Sequence, residues 1–164
     1  MTDVPEEIGE LIVASLPRLR RFARSLSRNQ HDADDLTQVV LERALRNREQ
    51  FRPGANLASW MFGIMRNAWL DERRSRARRG ETSLPEDSGR HPAVDSRDAD
   101  TGLWAVSEAM DKLPEEQRLA IALVLVEGMS YKEASAVLEI PMGTLTSRLA
   151  RGRAALAAVL GDAT

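Results

Sequence analysis

Apolar side chains recur at three- and four-residue intervals along most of this 164-residue chain, which is the spacing that builds one face of an α-helix. Residues 6–79 carry four such stripes. The second stripe begins at Pro17, since proline is tolerated in the first turn of a helix, and the third begins around residues 32–35, where acidic side chains suit the positive helix end. Because residues 52–56 (RPGAN) are typical of a turn, the pattern predicts a fourth helix after them. The side chains expected to be buried on that helix are Leu57, Trp60, Met61, Ile64 and Ala68.

The same periodicity returns in the last third of the chain and predicts four more helices, over about residues 103–113, 114–128, 130–138 and 143–160. Between the two helical parts, residues 80–101 hold Gly, Pro, Ser and six acidic residues, with almost no side chain to bury. Such a composition is typical of a flexible linker. The predicted fold class is therefore all-α, with two small helical domains, residues 1–79 and 102–164, joined by a flexible acidic linker, residues 80–101.

Composition excludes several functional classes. There is no cysteine, and the two histidines, His31 and His91, stand far apart, so neither a disulfide nor a metal site with the usual ligand spacing is expected. The longest apolar run, residues 119–126, is far too short to span a bilayer. The first residues are acidic and do not follow the order of a signal peptide. These features predict a cytoplasmic protein that is not inserted in a membrane and needs no cofactor.

Charge distribution favours a nucleic-acid ligand, although the net charge of −2 argues against one. Residues 66–79 contain six arginines and two acidic residues, and residues 144–161 contain three arginines and no acidic residue. A phosphate backbone responds to local basic patches rather than to the total charge. The two patches therefore become the candidate binding surfaces.

The pattern over residues 129–160 predicts a helix-turn-helix. Ser130 and Glu133 form a capping box at the start of a short helix, a tight turn follows, and a basic helix completes the motif. Ala134 is small where the two helices must approach closely. Side chains able to face outward from the second helix and to bind base edges or phosphates are Thr144, Thr146, Ser147, Arg148 and Arg151. The alternative is a plain helical hairpin with a solvated basic face.

Residues 57–79 predict a second binding surface. Asn67, Asp71 and Arg74 fall on one stripe of the helix, and their amide, carboxylate and guanidinium groups can read base edges if a DNA strand is opened. Three aromatic side chains of this helix are candidates for stacking on bases: Trp60, Phe62 and Trp69. A core position is favoured for Trp60, and a solvated helix end remains the alternative for the arginines.

Residues 34–46 predict an amphipathic helix in which Asp35, Gln38 and Glu42 line one polar face. By itself this pattern favours an ordinary surface helix. Only the surrounding sequence would make it a docking face.

Three blocks of residues, in this order and at these separations, resemble the extracytoplasmic-function (group IV) sigma factors of bacterial RNA polymerase. The first block is Asp34-Asp35-Leu36 with Gln38, Leu41 and Arg43. The second is Leu57, Trp60, Ile64, Asn67, Asp71 and Arg74. The third is Leu113-Pro114 with Gln117-Arg118, then residues 128–134 (GMSYKEA) and 140–144 (IPMGT), then Ser147-Arg148-Leu149 and Arg151. Together the blocks cover everything except the termini and the linker.

The resemblance implies a role for each block. The first domain would be a sigma region 2 bundle, and the second a sigma region 4 helix-turn-helix. Residues implied to bind the clamp helices of the polymerase largest subunit are Asp34, Asp35, Gln38, Glu42 and Arg43. Residues implied to bind the minus-ten element are Asn67, Asp71, Arg73, Arg74, Arg76, Arg78 and Arg79. Residues implied to bind the minus-thirty-five element are Lys132, Thr144, Thr146, Ser147, Arg148, Arg151 and Arg153.

The implied partners are core RNA polymerase, through its clamp helices and flap, promoter DNA, and an anti-sigma factor. No small-molecule substrate and no cofactor is implied. Glu139 departs from the family pattern, because this turn often carries glycine, and it would cost about 1 kcal/mol if the position requires a positive φ. Thr146 and Gly152 also replace common family residues, and we expect them to affect base preference rather than the fold.

Three alternatives remain. A sigma mimic, which keeps the shape only to titrate an anti-sigma factor, would not need the two arginine clusters and commonly carries a receiver domain, for which this chain has no room. A dimeric helix-turn-helix repressor would leave residues 67–79 and the acidic linker without a role. An enzyme would require a phosphate-binding glycine loop, a metal-ligand cluster or a nucleophile–base pair, none of which stands out.

Overall fold

A computed structural model of the chain describes residues 3–80 and 101–161. All regular secondary structure in these ranges is helical, which confirms the predicted all-α class. The helices are α1 (Asp3–Ala14), α2 (Leu16–Ser27), α3 (Gln30–Arg46), a 3₁₀ turn (Arg48–Gln50), α4 (Leu57–Arg78), α5 (Thr101–Lys112), α6 (Glu115–Ile121), a π-helical turn (Ala122–Val126), α7 (Tyr131–Leu138) and α8 (Met142–Gly161). No helix in the described ranges is long and apolar enough to cross a bilayer.

The chain divides into two compact units, Met1–Glu86 and Asp87–Thr164. The predicted acidic linker falls almost entirely on residues 81–100, which lie outside the described ranges, so its flexibility stays a prediction. Its last predicted residue, Thr101, is already the first residue of α5.

In the first unit, α2, α3 and α4 pack against one another and α1 packs on α3. Burial of their apolar faces supplies the stabilising free energy. The buried side chains of the three central helices are Leu19, Phe22, Ala23 and Leu26 on α2, Ala33, Leu36, Thr37, Val40 and Ala44 on α3, and Met61, Phe62, Met65 and Ala68 on α4.

The buried face of α4 differs from the predicted one. Met61 and Ala68 are buried as predicted, but Leu57, Trp60 and Ile64 are only half-buried. Because α4 packs against both α2 and α3, its covered face is turned toward Phe62 and Met65.

Asparagine side chains begin two helices of this unit. The Asn29 carboxamide oxygen accepts hydrogen bonds from the backbone N–H groups of His31 at 2.9 Å and Asp32 at 3.3 Å, which satisfies two donors that the first turn of α3 leaves open. The Asn56 oxygen accepts from the N–H of Ser59 at 3.2 Å at the start of α4. Helix α3 therefore opens slightly earlier than the acidic residues predicted.

In the second unit, α6 packs on α8, and α5 and α7 also contact α8. Arg118 is 3% exposed, and its Nη1 donates to the carbonyl of Leu113 at 3.1 Å, which joins α6 to the end of α5. The predicted apolar helix ends in the π-helical turn, where the N–H of Glu127 donates to the carbonyl of Ala122 at 2.9 Å. Gly128, at φ +71°, lies at the predicted end of this helix and precedes α7.

Two non-glycine residues have left-handed backbones at helix ends. Glu139 follows α7 with φ 54° and Arg28 follows α2 with φ 60°. The positive φ considered for Glu139 is therefore present. A non-glycine side chain in this region costs about 1 kcal/mol, so both residues reduce the stability of the fold.

Candidate functional site

Helix α3 presents the predicted polar face to solvent. Asp35, Gln38 and Glu42 are exposed, and Asp34 beside them is exposed as well. Since Leu36, Val40 and Ala44 are buried on the other side of the helix, the predicted amphipathic pattern is confirmed. Asp35 lies 3.4 Å from Nε2 of His31, an ion pair only when His31 is protonated.

The predicted stripe on α4 is also exposed, since Asn67, Asp71 and Arg74 all reach solvent. The Asp71 carboxylate lies between two guanidinium groups, 3.8 Å from Nη1 of Arg74 and 3.9 Å from Nη1 of Arg43 on α3. Arg43 was assigned by resemblance to polymerase and Asp71 to DNA, so the two candidate surfaces are adjacent.

An open groove of about 370 Å³ runs between α3 and α4. Its apolar lining includes Leu36, Val39 and Trp69, and four carboxylates lie around it: Asp32, Asp35, Asp71 and Glu72. The groove joins the polar face of α3 to the stripe on α4.

The aromatic side chains of α4 have different environments. Phe62 is 1% exposed, and its ring centroid lies 4.8 Å from that of Phe22, so the suggestion that Phe62 stacks on bases is wrong. The ring of Trp60 is half-buried 5.4 Å from that of Phe51. Trp69 is half-buried, and its Nε1 is covered without a hydrogen-bond partner in the described structure.

Arg76 is held by other residues of the first unit. Its Nη2 lies 3.2 Å from Oδ1 of Asp32 on α3, and its Nε donates to Oε1 of Glu72 at 3.2 Å. Its guanidinium also lies 5.9 Å from the ring centroid of Trp69. The Asp32 carboxylate raises the pKa of Arg76, chiefly through this hydrogen bond, against the lowering effect of burial. Sequence reasoning missed this attachment of α4 to α3, because only the Glu72–Arg76 spacing is visible in the sequence.

Four other arginines of this patch are more accessible, whereas Arg66 is half-buried like Arg76. Arg73, Arg74 and Arg78 are exposed. Arg79 is exposed too, although its Nη2 lies 3.6 Å from Glu72 and its Nη1 donates to the Ser75 hydroxyl at 3.0 Å. The C-terminal part of α4 therefore keeps a positive surface even with Arg76 engaged.

In the second unit, the predicted helix-turn-helix is formed by α7, the turn at residues 139–141 and α8. The Ser130 hydroxyl oxygen accepts from the N–H of Glu133 at 3.1 Å, as the capping pattern predicts. Ala134 is fully covered between the helices, and Leu145 and Leu149 anchor α8.

Most of the residues implied to contact the minus-thirty-five element are accessible. Exposed side chains of this set are Lys132, Thr146, Ser147, Arg151 and Arg153, and Thr144 is half-buried. The Thr146 hydroxyl donates to the carbonyl of Met142 at 2.9 Å, which leaves it as an acceptor toward a ligand.

Arg148 departs from the predicted outward orientation. Its side chain is 25% exposed, and its Nε lies 3.8 Å from Oε2 of Glu116 on α6. The cause is helical spacing, because Arg148 follows the buried Leu145 by three residues and precedes the buried Gly152 by four. Arg151 therefore presents the freer guanidinium of the two.

Gly152 is a packing position rather than a determinant of base preference, which corrects the prediction. A Cβ atom there would lie 2.9 Å from Cγ1 and 3.2 Å from Cδ1 of Ile121. The residue is buried, and the absence of a side chain allows α8 to approach α6 closely.

Within residues 3–80 and 101–161 there is no group of three or more His, Cys, Asp or Glu side chains arranged to hold a metal ion.

Comparison with known families matches both units. A sequence model of Sigma-70 region 2 matches residues 11–79, and one of Sigma-70, region 4 matches residues 103–156. The chain is 41% identical over 158 residues to the ECF RNA polymerase sigma factor EcfG of Rhodopseudomonas palustris, covering 94% of this chain and 86% of the relative. It is also 41% identical to the ECF RNA polymerase sigma factor SigE of Mycolicibacterium smegmatis, covering 88% of this chain and 58% of that protein.

Solved structures give the same result. The sigma factor RpoE of Bartonella quintana, crystallised with the anti-sigma factor NepR, superposes with a TM-score of 0.82 at 33% identity, covering 95% of this chain and 98% of that chain. CnrH, in complex with the cytosolic domain of CnrY, superposes with a TM-score of 0.66 at 28% identity, covering 96% of this chain and 89% of that chain.

Proposed function

The chain belongs to the ECF RNA polymerase sigma factors, and from this premise we propose how its own surfaces act. The protein is an alternative sigma factor that binds core RNA polymerase and directs promoter-specific initiation of transcription. The main support for this proposal is the order of three accessible surfaces along the chain: the polar face of α3, the stripe on α4 and the polar side of α8.

We propose that α3 docks on the clamp helices of the polymerase largest subunit. Asp35, Gln38 and Glu42 provide carboxylate and amide acceptors on one exposed face, with Asp34 and Arg43 at its edges. Charged side chains at the rim of an interface chiefly set its specificity and association rate. The face therefore suits a basic, helical partner.

We propose that α4 binds the minus-ten element after the strands separate. Asn67, Asp71 and Arg74 supply hydrogen-bond donors and acceptors for unpaired base edges. Arg73 and Arg78 supply positive charge for the DNA phosphate backbone. Because Arg76 is engaged by Asp32 and Glu72, we assign it to the orientation of α4 rather than to DNA.

We propose that α8 enters the major groove at the minus-thirty-five element. Arg151 is the candidate for a bidentate contact with guanine, and Thr146 and Ser147 are candidates for bases or phosphates. Arg148 would have to leave Glu116 to reach a base, so its contribution to affinity should be smaller than that of Arg151.

Control by an anti-sigma factor is part of the proposal. RpoE was crystallised with the anti-sigma factor NepR, and this chain resembles RpoE over nearly its whole length. Since core polymerase and promoter DNA are cytoplasmic, we propose the same location for this protein. We further propose that it catalyses no reaction itself and acts as a transcription regulator.

Run-off transcription on a fragmented genomic library, with core polymerase in the presence and absence of the full chain, tests this function. New transcripts should start downstream of two shared sequence elements only when the protein is added. A matched reaction with the Asp35→Ala/Gln38→Ala variant should lose those transcripts. Binding of palindromic sites without polymerase, and no protein-dependent transcript, would instead identify a dimeric repressor.

A further inference from the structure

Helix α2 carries a basic surface that the surfaces described so far do not include. The helix contains four arginines and no acidic residue, and Arg28 follows at its C-terminal end. Arg20, Arg24 and Arg28 are separated by four residues each, are all exposed, and form what we call the α2 arginine row. Within the described parts of the chain, no ion pair engages these three side chains.

The row lies on a well-supported element. The opposite face of α2 packs on α4 through Phe22, whose ring contacts that of Phe62, and Arg18 lies 5.6 Å from the Phe62 ring centroid. The row therefore belongs to the same packed unit as the α4 stripe.

Arg28 adds a second, independent observation. Its φ of 60° and ψ of 9° lie in the left-handed region, where glycine or asparagine is favoured at a helix end. The backbone N–H of Arg28 closes the helix on the carbonyl of Arg24 at 2.9 Å, but glycine could make the same bond without a side chain in this strained region. The exposed Arg28 side chain makes no ion pair within the described residues. A residue kept in a strained conformation points to a role for its side chain.

We propose that the α2 arginine row binds the phosphate backbone of promoter DNA, an inference that rests on the proposed function. The row extends over about 12 Å, from eight residues at 1.5 Å each. One DNA strand carries a charge about every 3.4 Å of axis, so three or four phosphates lie within reach. Arginine fits phosphate oxygens better than lysine because its planar fork donates two parallel hydrogen bonds.

Salt dependence of promoter binding provides the test. Holoenzyme is assembled from core polymerase and the full chain, and its affinity is measured for the promoter fragment recovered most often from the library transcription. Removing two phosphate contacts with Arg20→Ala/Arg24→Ala should reduce the slope of log affinity against log salt by about 1.4–1.8, so the affinity lost between about 50 and 200 mM salt shrinks about 7- to 12-fold. The matched control, Arg46→Ala/Arg48→Ala, removes two exposed arginines, one at the C-terminal end of α3 and one in the 3₁₀ turn after it, and should leave the slope unchanged.

Arg28→Gly separates a structural role from a binding role. Glycine adopts the left-handed backbone without the strain that a side chain causes there. The melting temperature of the first unit should therefore rise by about 4–8 °C. The same variant should lower the salt slope by about 0.7–0.9. Arg28→Lys, which keeps the charge but not the fork, should restore most of the slope.

The remaining outcomes are distinguishable. If Arg20→Ala/Arg24→Ala leaves the salt slope unchanged while the wild-type holoenzyme binds the promoter, the α2 arginine row does not bind DNA. The proposed function then still stands. A fall in core-polymerase affinity without a change in slope assigns the row to an acidic protein surface and also overturns this inference. Failure of the wild-type protein to direct any promoter-dependent transcript overturns the proposed function and this inference with it.

Discussion

Replacing Arg76 by Ala distinguishes a guanidinium that holds α4 to α3 from one that contacts DNA. Its bond to Asp32 joins two side chains that are only 28% and 22% exposed. A charged hydrogen bond contributes about 1.5–3 kcal/mol when well shielded, whereas exposed ion pairs contribute about 0–1 kcal/mol, so about 1–1.5 kcal/mol is reasonable here. The contact with the Trp69 ring adds about 0.5–1 kcal/mol. The free energy of unfolding of the first unit should therefore fall by about 2 kcal/mol.

A double-mutant cycle with Asp32→Asn isolates the pair. Denaturant unfolding of the full chain is followed by helicity for the wild type, both single variants and the double variant, and the contribution of the second unit cancels in the cycle. The coupling between Arg76 and Asp32 should be about 1 kcal/mol. Pairing raises the pKa of Arg76, so its stabilising effect is present below the unfolded-state pKa and is lost only as pH rises through the folded-state value, well above assay conditions.

Arg78→Ala is the matched control, because Arg78 lies two residues further along α4 and is exposed. It should leave stability unchanged within about 0.5 kcal/mol and should lower the salt slope of promoter binding by about 0.7–0.9. Arg76→Ala should instead lower the free energy of unfolding and leave the salt slope of promoter binding unchanged. If Arg76→Ala kept full stability and lowered the slope as Arg78→Ala does, the structural assignment of Arg76 would be refuted.

Three further predictions concern the exposed face of α3, the stripe on α4 and the packing of α8. Asp35→Ala/Gln38→Ala should weaken core-polymerase affinity without changing helicity, and unchanged affinity in a fluorescence titration would exclude this face of α3 from the interface. Asn67→Ala should leave binding to closed duplex nearly intact but impair strand opening, measured by permanganate footprinting, and a promoter opened by mismatches should restore the part of the loss due to melting. Gly152→Ala should destabilise the second unit by about 1 kcal/mol, because overpacking costs about 1–3 kcal/mol and helix propensity returns about 0.5–1 kcal/mol. Adding Ile121→Val should recover part of that loss, and an additive effect would contradict the predicted clash.

Most of the fold could be predicted from sequence because its signals are local. Pro17, the Ser130 cap and Gly128 mark helix boundaries through their own backbone chemistry. Other helix boundaries differ from the predicted ones. Helix α3, for example, begins before the acidic residues because Asn29 caps it. The buried face of α4 was misjudged because helical spacing alone does not show that two helices cover it.

The exposed stripes of the candidate site were equally predictable, since helical periodicity determines which side chains share a face. What sequence could not supply were contacts between residues that are distant along the chain. Asp32 with Arg76 and Glu116 with Arg148 each pair an acid and an arginine from different helices. Composition showed these arginines only as members of basic patches, whereas packing decides which of them have partners.

The position of Asp71 between Arg43 and Arg74 has a consequence for interpreting mutational scans. The two arginines belong to different candidate surfaces but share the Asp71 carboxylate. When either arginine is removed, the other can pair more closely with that carboxylate. Substitutions at residues that share a partner are generally not additive. Alanine effects measured separately on polymerase affinity and on promoter opening will therefore not sum at these three positions, and assigning each residue to one activity requires the double variants as well as the single ones.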